Sequence, residues 1–402
     1  MPRISPFEAL VYDADVSGPL DTVTTPPYDV ISEARKREFL TVPYGIARLD
    51  LPGASDPVAS VDDGDPYETA GALLRSWQAE GALRRLDAAF HAYEMRVTEG
   101  GGRRVRGILC ALELEPWGGG VLPHERTLPG PLEDRLRLLR ATHTHLSPIY
   151  GTVAGPCPEL ADLLDRAMAR PPDAEAMDEQ GVRHRRWTVP PDGSIGRWML
   201  DEPLLIADGH HRYTTALAFR DEMRTVSGAG AWDGVLALIV DAGTEHLPVQ
   251  PFHRVQLHGP VPDLGRPMPS LEAVMDALSD DELLVGIVRS GDPGTGFRLL
   301  ELRGDPPTVR VLHHELLDGV VPIDALRFTP DPMEALEAVR DERAVAAYLL
   351  PPTTTERIRA VIDRGERLPP KSTYFWPKPR TGMVLMPLDP APVTPRRAAP
   401  TS

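Results

Sequence analysis

An apolar run that ends at a tight turn and then enters a helical pattern is the feature that most constrains this fold. Residues 204–207 are apolar, Asp208 and Gly209 follow, and His210, His211 and Arg212 open a stretch with helical spacing. This order predicts a strand, a turn and a helix N-terminus that carries cationic side chains. Free backbone N–H groups and a guanidinium at such a corner suit a phosphate group. The same corner also fits a structural role in which Asp208 caps the helix and the histidines are solvated.

The patterns along the chain predict an α+β fold with mixed sheets and additional α/β segments. Helical spacing covers 33–40, 69–86 and 159–169, and alternating residues predict a hairpin over 93–97 and 108–114. Unbroken apolar residues predict a buried strand over 234–240. Leucines at 132, 136 and 139 mark another helix, whose exposed side is expected to carry Asp134 and Arg135.

A chain of 402 residues favours two or three domains. We predict an N-terminal α+β domain over 1–155, which contains the hairpin and a His-Glu-Arg-Thr loop. A central domain over 156–260 carries the Asp-Gly-His-His-Arg motif, and a C-terminal α/β domain follows over 261–387. The Pro-, Ala- and Arg-rich residues 388–402 are predicted to form a disordered tail.

Composition limits the classes of partner. A net charge of −16 argues against broad nucleic-acid binding, which needs a basic surface. No signal peptide or membrane-spanning apolar run is recognisable, so we expect a cytoplasmic protein that does not bind membranes. An acidic chain that handles anionic small molecules must concentrate positive charge locally, as residues 210–212 do. Its oligomeric state cannot be inferred from composition.

A second polar cluster follows a glycine run and a proline. His124, Glu125, Arg126 and Thr127 are consecutive, and Asp134 and Arg135 come shortly afterwards. One interpretation is an exposed loop with local salt bridges, which add little stability. The other is a loop that supplies a pocket, in which Glu125 acts as a general base or binds Mg²⁺. Its pairing with the 208–212 corner favours the second, and we expect both loops in one pocket.

A third cluster lies near the end of the chain. Lys371, Ser372 and Lys378 surround the aromatic residues 374–376. They fit either phosphate binding or a strand that packs its aromatic side chains while the lysines are solvated. The chain has no Walker A loop, dinucleotide-binding glycine motif, nucleophile elbow or His-Glu-x-x-His motif.

Several motifs together resemble one family. Pro-Pro-Tyr-Asp-Val-Ile at 26–31, Pro-His-Glu-Arg-Thr at 123–127, Asp-Arg at 134–135, Ser-Pro-Ile at 147–149, Ala-Asp-Gly-His-His-Arg-Tyr at 207–213 and residues 371–378 occur in the expected order. They resemble a widespread prokaryotic family catalogued as a domain of unknown function, and the resemblance runs from Pro6 to Met386. The core at 208–212 also resembles the phosphate-binding motif of the ParB/sulfiredoxin-like superfamily, which includes free-serine kinases.

The resemblance implies phosphoryl transfer from diphosphate, ADP or ATP to a small hydroxy amino acid such as serine, with Mg²⁺ required. It implies a ParB-like core over 156–260. Since phosphoryl transfer depends on positioning and charge neutralisation, the roles can be divided as follows. Glu125, Asp208 and His211 are the candidate catalytic groups, and Glu125 and Asp208 the candidate Mg²⁺ ligands. The candidate substrate- and phosphate-binding residues are His124, Arg126, Thr127, Asp134, Arg135, Gly209, His210, Arg212, Lys371, Ser372 and Lys378. A hydrolase of phosphate esters or diphosphate, and a nucleotide-binding regulatory protein, remain alternatives.

Overall fold

The structure is a computed structural model that describes residues 2–53, 64–98, 103–125, 129–153, 157–191, 203–242, 245, 247, 249–291 and 296–389. Its α-helices are α1 (Ala14–Ser17), α2 (Leu20–Val23), α3 (Glu33–Leu40), α4 (Ala47–Asp50), α5 (Pro66–Ala79), α6 (Pro129–Thr142), α7 (Pro158–Met168), α8 (His210–Ser227), α9 (Leu271–Ala277), α10 (Thr308–Leu312), α11 (Pro332–Arg340) and α12 (Thr355–Asp363).

The strands are β1 (Ile4–Ser5), β2 (Phe7–Tyr12), β3 (Leu83–Val97), β4 (Arg104–Glu113), β5 (Val121–Leu122), β6 (Thr144–His145), β7 (Ile149–Val153), β8 (Ala174–Met177), β9 (Val182–Val189), β10 (Leu204–Asp208), β11 (Gly234–Asp241), β12 (Val249–Pro251), β13 (His253–Gln256), β14 (Arg266–Pro267), β15 (Leu284–Arg289), β16 (Phe297–Glu301), β17 (Leu326–Thr329), β18 (Ala346–Leu349), β19 (Thr373–Phe375) and β20 (Met386–Pro387).

A ten-stranded mixed sheet forms the larger part of the fold. Its central path runs β5-β10-β7-β11-β4-β3-β9-β8, with β1 beside β4 and β2 beside β3. Successive residues of β4 belong to different apolar clusters: Cys110 packs on one face and Leu109 on the other. Both faces of the sheet are therefore covered, and its strands β7 and β11 are almost wholly apolar. The predicted mixture of helices and mixed sheets is confirmed.

Strand pairing explains why distant loops meet. Val121 and Leu122 of β5 pair in parallel with Leu204 and Leu205 of β10. Parallel neighbours end at the same edge of a sheet, where open α/β sheets usually bind ligands. The loop that starts after Leu122 and the turn that starts at Asp208 therefore leave the sheet side by side.

A six-stranded sheet, ordered β14-β16-β15-β18-β13-β17, lies in the C-terminal part of the chain. Two short pairs join the parts: β12 with β19, and β20 with β6. The backbone N–H of Leu368 donates to the carbonyl of His124 at 2.8 Å. The C-terminal segment thus crosses the edge of the large sheet at which β5 ends.

Two local expectations were wrong. The helix predicted over 69–86 ends at Ala79, because Gly81 adopts φ +80° and the chain then enters β3, whose Leu83 pairs with Tyr12. Arg135 does not face solvent but is 7% exposed, since carboxylates described below neutralise it. The predicted boundary at 155/156 falls within the chain that builds the ten-stranded sheet, and the domain boundaries stay a prediction. Residues 390–402 lie outside the described residues. In the described part of the chain, no helix combines the length and the apolar character needed to span a membrane.

Candidate functional site

The turn after β10 opens onto a cavity, called here the helix-end cavity, of about 460 Å³ including its open mouth. It lies where the N-terminus of α8 meets the loop after β5 and the C-terminal segment. Its walls are formed by Tyr28, Asp29, Glu125, Asp208, Gly209, His210, His211, Arg212, Pro370 and Lys371.

Gly209 shapes the start of α8. It is the N-cap residue, has φ +96°, and provides no side-chain capping bond. A Cβ at this position would lie 3.1 Å from Ile149 Cγ2 and 3.2 Å from the guanidinium carbon of Arg212. The turn therefore favours glycine both by its left-handed backbone and by its crowding. A helix N-terminus without a side-chain cap attracts anions through its N–H groups and its dipole.

A buried network of imidazoles connects the two loops. His124 is fully buried, and its Nδ1 donates to the Ile206 carbonyl at 2.7 Å, so its Nε2 accepts from the Thr373 hydroxyl at 2.6 Å. The backbone N–H of His124 donates to His210 Nε2 at 3.3 Å. The proton of neutral His210 therefore lies on Nδ1, which is 3.7 Å from Glu125 Oε1.

Burial keeps these imidazoles neutral. Desolvation lowers the pKa of His124 despite the opposing charge of Glu125. Desolvation, followed by repulsion from His124 and His211, holds the pKa of His210 well below its usual value. Glu125 is fixed on its other side, because the backbone N–H of Ser372 donates to its Oε2 at 2.9 Å. The network thus orients Glu125 without adding a cation next to it.

Two carboxylates form ion pairs with the cations of the site. Asp208 pairs with both Lys378 and Arg212, and Asp29 pairs with Lys371. Burial opposes ionisation of Asp29, but the ammonium groups of Lys371 and Lys378 hold its pKa well below the usual range. Arg212 Nη1 also donates to the Ser147 hydroxyl at 3.1 Å and to the Pro148 carbonyl. The guanidinium is thus committed to protein partners, and a two-pronged grip on phosphate would require it to exchange them.

Lys371 reaches Asp29 from an unusual backbone conformation. Its φ is +53°, in the left-handed region that non-glycine residues rarely occupy. The buried Arg254 donates to its carbonyl at 2.7 Å, and the next residue donates its N–H to Glu125. A strained conformation held by several contacts is typical of a functional site.

The sequence-predicted residues divide into groups. Glu125, Asp208, Gly209, His210, His211, Arg212 and Lys371 line the helix-end cavity, whereas His124 and Ser372 lie behind it as supports. Lys378 reaches Asp208 from a neighbouring groove. Arg126 and Thr127 lie outside the described residues.

Asp134 and Arg135 are not among the residues that line the helix-end cavity. Arg135 donates to Asp50 at 2.8 Å and to Asp134 at 2.7 Å, and its guanidinium lies 4.3 Å from the Tyr28 ring centre. It lines a second cavity, called here the leucine-walled cavity, which shares Tyr28 and Arg212 with the first. Sequence reasoning missed Asp29 and Tyr28 as wall residues, although both belong to the Pro-Pro-Tyr-Asp-Val-Ile motif at 26–31.

A family described as "Protein of unknown function (DUF1015)" matches residues 4–276. The match covers more than half of the chain, so the chain belongs to this family, as the motifs had predicted. Lys371, Ser372 and Lys378 lie beyond the matched residues. No curated protein sequence is significantly similar to this chain.

Three solved structures are similar to the fold at low identity. A mutant free serine kinase in complex with AMP is 14% identical, with a TM-score of 0.36, over 64% of this chain and 84% of that one. A conserved hypothetical protein from Pyrococcus furiosus is 14% identical, with a TM-score of 0.34, over 64% and 87%. C-terminally truncated SbnI from Staphylococcus aureus is 12% identical, with a TM-score of 0.33, over 68% and 85%. Likeness at these TM-scores assigns no chemistry to this chain.

Proposed function

We propose that this member of the family is a phosphotransferase that moves a phosphoryl group from diphosphate or a nucleotide to the hydroxyl of a small amino acid, serine first. The observation that carries the proposal is the N-terminus of α8, which lacks a side-chain cap and opens beside Lys371 and Glu125 in one cavity. We assign the corner at 208–212 as a ParB/sulfiredoxin-like phosphate-binding motif.

The donor phosphates bind at the start of α8 in this proposal. Backbone N–H groups and the helix dipole favour an anion there, and His211 adds a side-chain donor at the cavity wall. Lys371 and Lys378 already point at carboxylates in this region. A phosphate group carries more negative charge than the carboxylate it would displace, so the exchange strengthens the ionic contacts.

Glu125 is the proposed general base. Its carboxylate is oriented by the Ser372 N–H and lies beside a neutral imidazole, whereas both oxygens of Asp208 are engaged by cations. Glu125 takes the proton of the acceptor hydroxyl while the hydroxyl oxygen forms a bond to phosphorus. The bond from phosphorus to the bridging oxygen of the donor breaks, and phosphate or the shortened nucleotide leaves with the electron pair. Asp208 orients Lys378 and Arg212 toward that charge.

Mg²⁺ fits this arrangement only together with the donor. Among the described residues, no group of three His, Cys, Asp or Glu side chains is placed to hold a metal ion. Mg²⁺ is commonly held by one or two carboxylates plus substrate phosphates. Of the two candidate ligands, Asp208 would hold the ion once Lys378 and Arg212 have moved to the donor phosphates, because Glu125 is needed as the base. The ion would neutralise charge on the transferred group.

A ³¹P NMR screen tests this function. Purified protein is incubated with diphosphate, ADP or ATP, with Mg²⁺ or EDTA, and with a panel of hydroxy amino acids. We expect a phosphate monoester signal of the amino acid that requires both donor and Mg²⁺. Inorganic phosphate as the only product would instead indicate the hydrolase. Tight nucleotide binding without consumption of any donor would indicate a regulatory protein.

A further inference from the structure

The leucine-walled cavity lies next to the helix-end cavity and has a different lining. Its volume is about 410 Å³ including its open mouth. It is bordered by α6, the start of α8 and the end of α4, and its walls are formed by Tyr28, Asp50, Arg135, Leu138, Leu139, Thr144, His145, Leu146, Ser147, Arg212 and Thr215.

Two buried oxygen atoms of this lining have no hydrogen-bond partner within the described part of the chain. They are Asp50 Oδ2 and Thr215 Oγ1, on side chains of residues that are 3% and 4% exposed. A buried polar atom without a partner is costly, and native structures contain few of them. Asp50 and Thr215 both line this one cavity, so a single donor-rich ligand bound there would have both side chains as neighbours.

The charge pattern indicates what such a ligand carries. Asp50 accepts a bond from Arg135 on Oδ1 only, which leaves Oδ2 for a second donor. Arg135, which pairs with Asp50 and Asp134, and Arg212, which pairs with Asp208, supply guanidinium groups in the same wall. A carboxylate beside two guanidiniums is complementary to a zwitterion, which presents an ammonium and a carboxylate on adjacent atoms.

Resting on the proposed function, we propose that the leucine-walled cavity binds the acceptor amino acid. Its α-ammonium group donates to Asp50 Oδ2 and Thr215 Oγ1, and its α-carboxylate faces Arg135 and Arg212. Tyr28 and Arg212 belong to the walls of both cavities. The hydroxyl end of the acceptor is thereby placed beside the donor phosphates.

The apolar part of the wall sets the size of the side chain. Leu138, Leu139 and Leu146 are each 5% exposed and lie within packed clusters. Packed interiors accommodate additional methylene groups poorly. The cavity should therefore prefer serine, whose hydroxyl is on a one-carbon side chain, over homoserine or tyrosine, whichever phosphoryl donor is bound.

Titration calorimetry with L-serine alone tests the site, with glycerate as the matched compound that lacks the ammonium group. We expect serine to bind at least about 10-fold more tightly than glycerate, because a hydrogen bond to a charged group is involved. Asp50→Asn should weaken serine binding about 10- to 100-fold and leave glycerate binding unchanged. Thr215→Val, which keeps the side-chain shape, should weaken serine binding by a smaller factor.

Thr381→Val is the matched control for the second variant. The Thr381 hydroxyl is likewise buried and lacks a partner in the described residues, but it lies outside the cavity wall. It should leave serine affinity unchanged. Equal binding of serine and glycerate, or unchanged serine binding in folded Asp50→Asn and Thr215→Val, overturns the proposal.

The same set of variants separates this proposal from the function on which it rests. Serine binding that depends on Asp50, without phosphoryl transfer in the NMR screen, keeps the amino-acid site and rejects the kinase. If serine is phosphorylated and its KM is unchanged in Asp50→Asn and in Thr215→Val, the kinase function stands and the proposed amino-acid site is wrong.

Discussion

The two cavities share Tyr28 and Arg212 but differ in how their polar groups are satisfied. At the helix-end cavity, the cations already have carboxylate partners: Lys371 pairs with Asp29, and Lys378 pairs with Asp208 from the neighbouring groove. In the leucine-walled cavity, two buried oxygen atoms have no partner among the described residues. The first cavity would bind a ligand by exchanging ion pairs, and the second by completing hydrogen bonds that the protein leaves open.

With two such modes of binding, one small region can keep two charged substrates apart. Exchange of ion pairs suits a polyanion, whose charge exceeds that of the carboxylate it replaces, and its strength falls with salt. Completion of buried hydrogen bonds suits a small zwitterion of no net charge and depends less on salt. Arg212 belongs to both walls, so substitutions on either side of it should affect one ligand, whereas substitution of Arg212 itself should affect both.

The largest effect is expected at Glu125, which belongs only to the helix-end cavity. Glu125→Gln removes the proposed base and should lower kcat about 10²- to 10⁴-fold, since general base groups contribute about that much. The affinities for donor and serine should change little, because the amide keeps the acceptor for the Ser372 N–H. Steady-state kinetics and calorimetry on the same preparation measure the two quantities.

Glu222→Gln provides the matched control. Glu222 lies on α8, whose N-terminus borders the helix-end cavity, but it is exposed and pairs with Arg140. It should keep wild-type turnover. If Glu125→Gln retained full turnover in a folded protein, Glu125 would not be the base, and Asp208 would become the carboxylate to test.

The next largest effect is expected at the shared residue. Arg212→Ala should weaken both donor and serine binding, each by about 1.5–3 kcal/mol, as for other contacts to charged groups. Lys371→Met should affect only the donor, and Asp50→Asn only the amino acid. The affinities for diphosphate and for L-serine are measured separately. If Arg212→Ala changed one affinity and left the other intact, the two-cavity scheme would be wrong.

The site could be predicted from sequence where its signal is local. The apolar run, the glycine turn and the cationic helix start are contiguous, and the structure has β10, Gly209 and α8 at those residues. The pattern also suggested that residues 124 and 125 share a pocket with the helix start, and both loops meet at one cavity. The two loops meet because the two-residue strand β5 pairs with β10. A strand this short has no recognisable pattern in the sequence.

Other parts of the site depend on packing that no local pattern reports. Asp50 is a single acidic residue at the end of a four-residue helix, and Thr215 lies within an otherwise ordinary stretch of α8. Arg135 was expected in solvent because it was assigned to the side of its helix away from the leucines at 132, 136 and 139. It is buried because Asp50, which is distant in sequence, and Asp134 neutralise it. Residues 371–378 reach the site only because the C-terminal segment returns to the edge of the large sheet, which no local pattern reports.

A smaller effect is expected on the pH dependence of the free energy of unfolding, through His145 in the wall of the leucine-walled cavity. Burial lowers the pKa of His145 to about 4, whereas its value in the unfolded chain is about 6.5. The unfolded state therefore binds the proton more readily, and the stability this neutral imidazole provides is complete above about pH 6.5. That stability should be lost as the pH falls toward 4, by about 2 kcal/mol between pH 7 and pH 5.

Urea unfolding at pH 5, 6 and 7 of wild type and His145→Asn measures this contribution. The free energy of unfolding of the variant should fall less steeply with decreasing pH than that of wild type. His314→Gln, which removes an exposed imidazole, is the control. Identical pH dependence in wild type and His145→Asn would show that His145 is not held neutral by the fold.

The smallest effect is expected at Gly209, and it tests whether crowding at the start of α8 matters beyond backbone strain. Gly209→Ala and Gly81→Ala both place a side chain in the left-handed region, at φ +96° and +80°, which costs about 1–2 kcal/mol of stability. A Cβ at Gly81 meets nothing within 4 Å, whereas one at Gly209 would press on Ile149 and on the Arg212 guanidinium. Both variants should therefore lose stability in urea unfolding, Gly209→Ala at least as much as Gly81→Ala, but only Gly209→Ala should weaken diphosphate and serine binding together. Wild-type affinity for both ligands in Gly209→Ala would mean that Arg212 can shift without consequence, and neither cavity would then depend on its position.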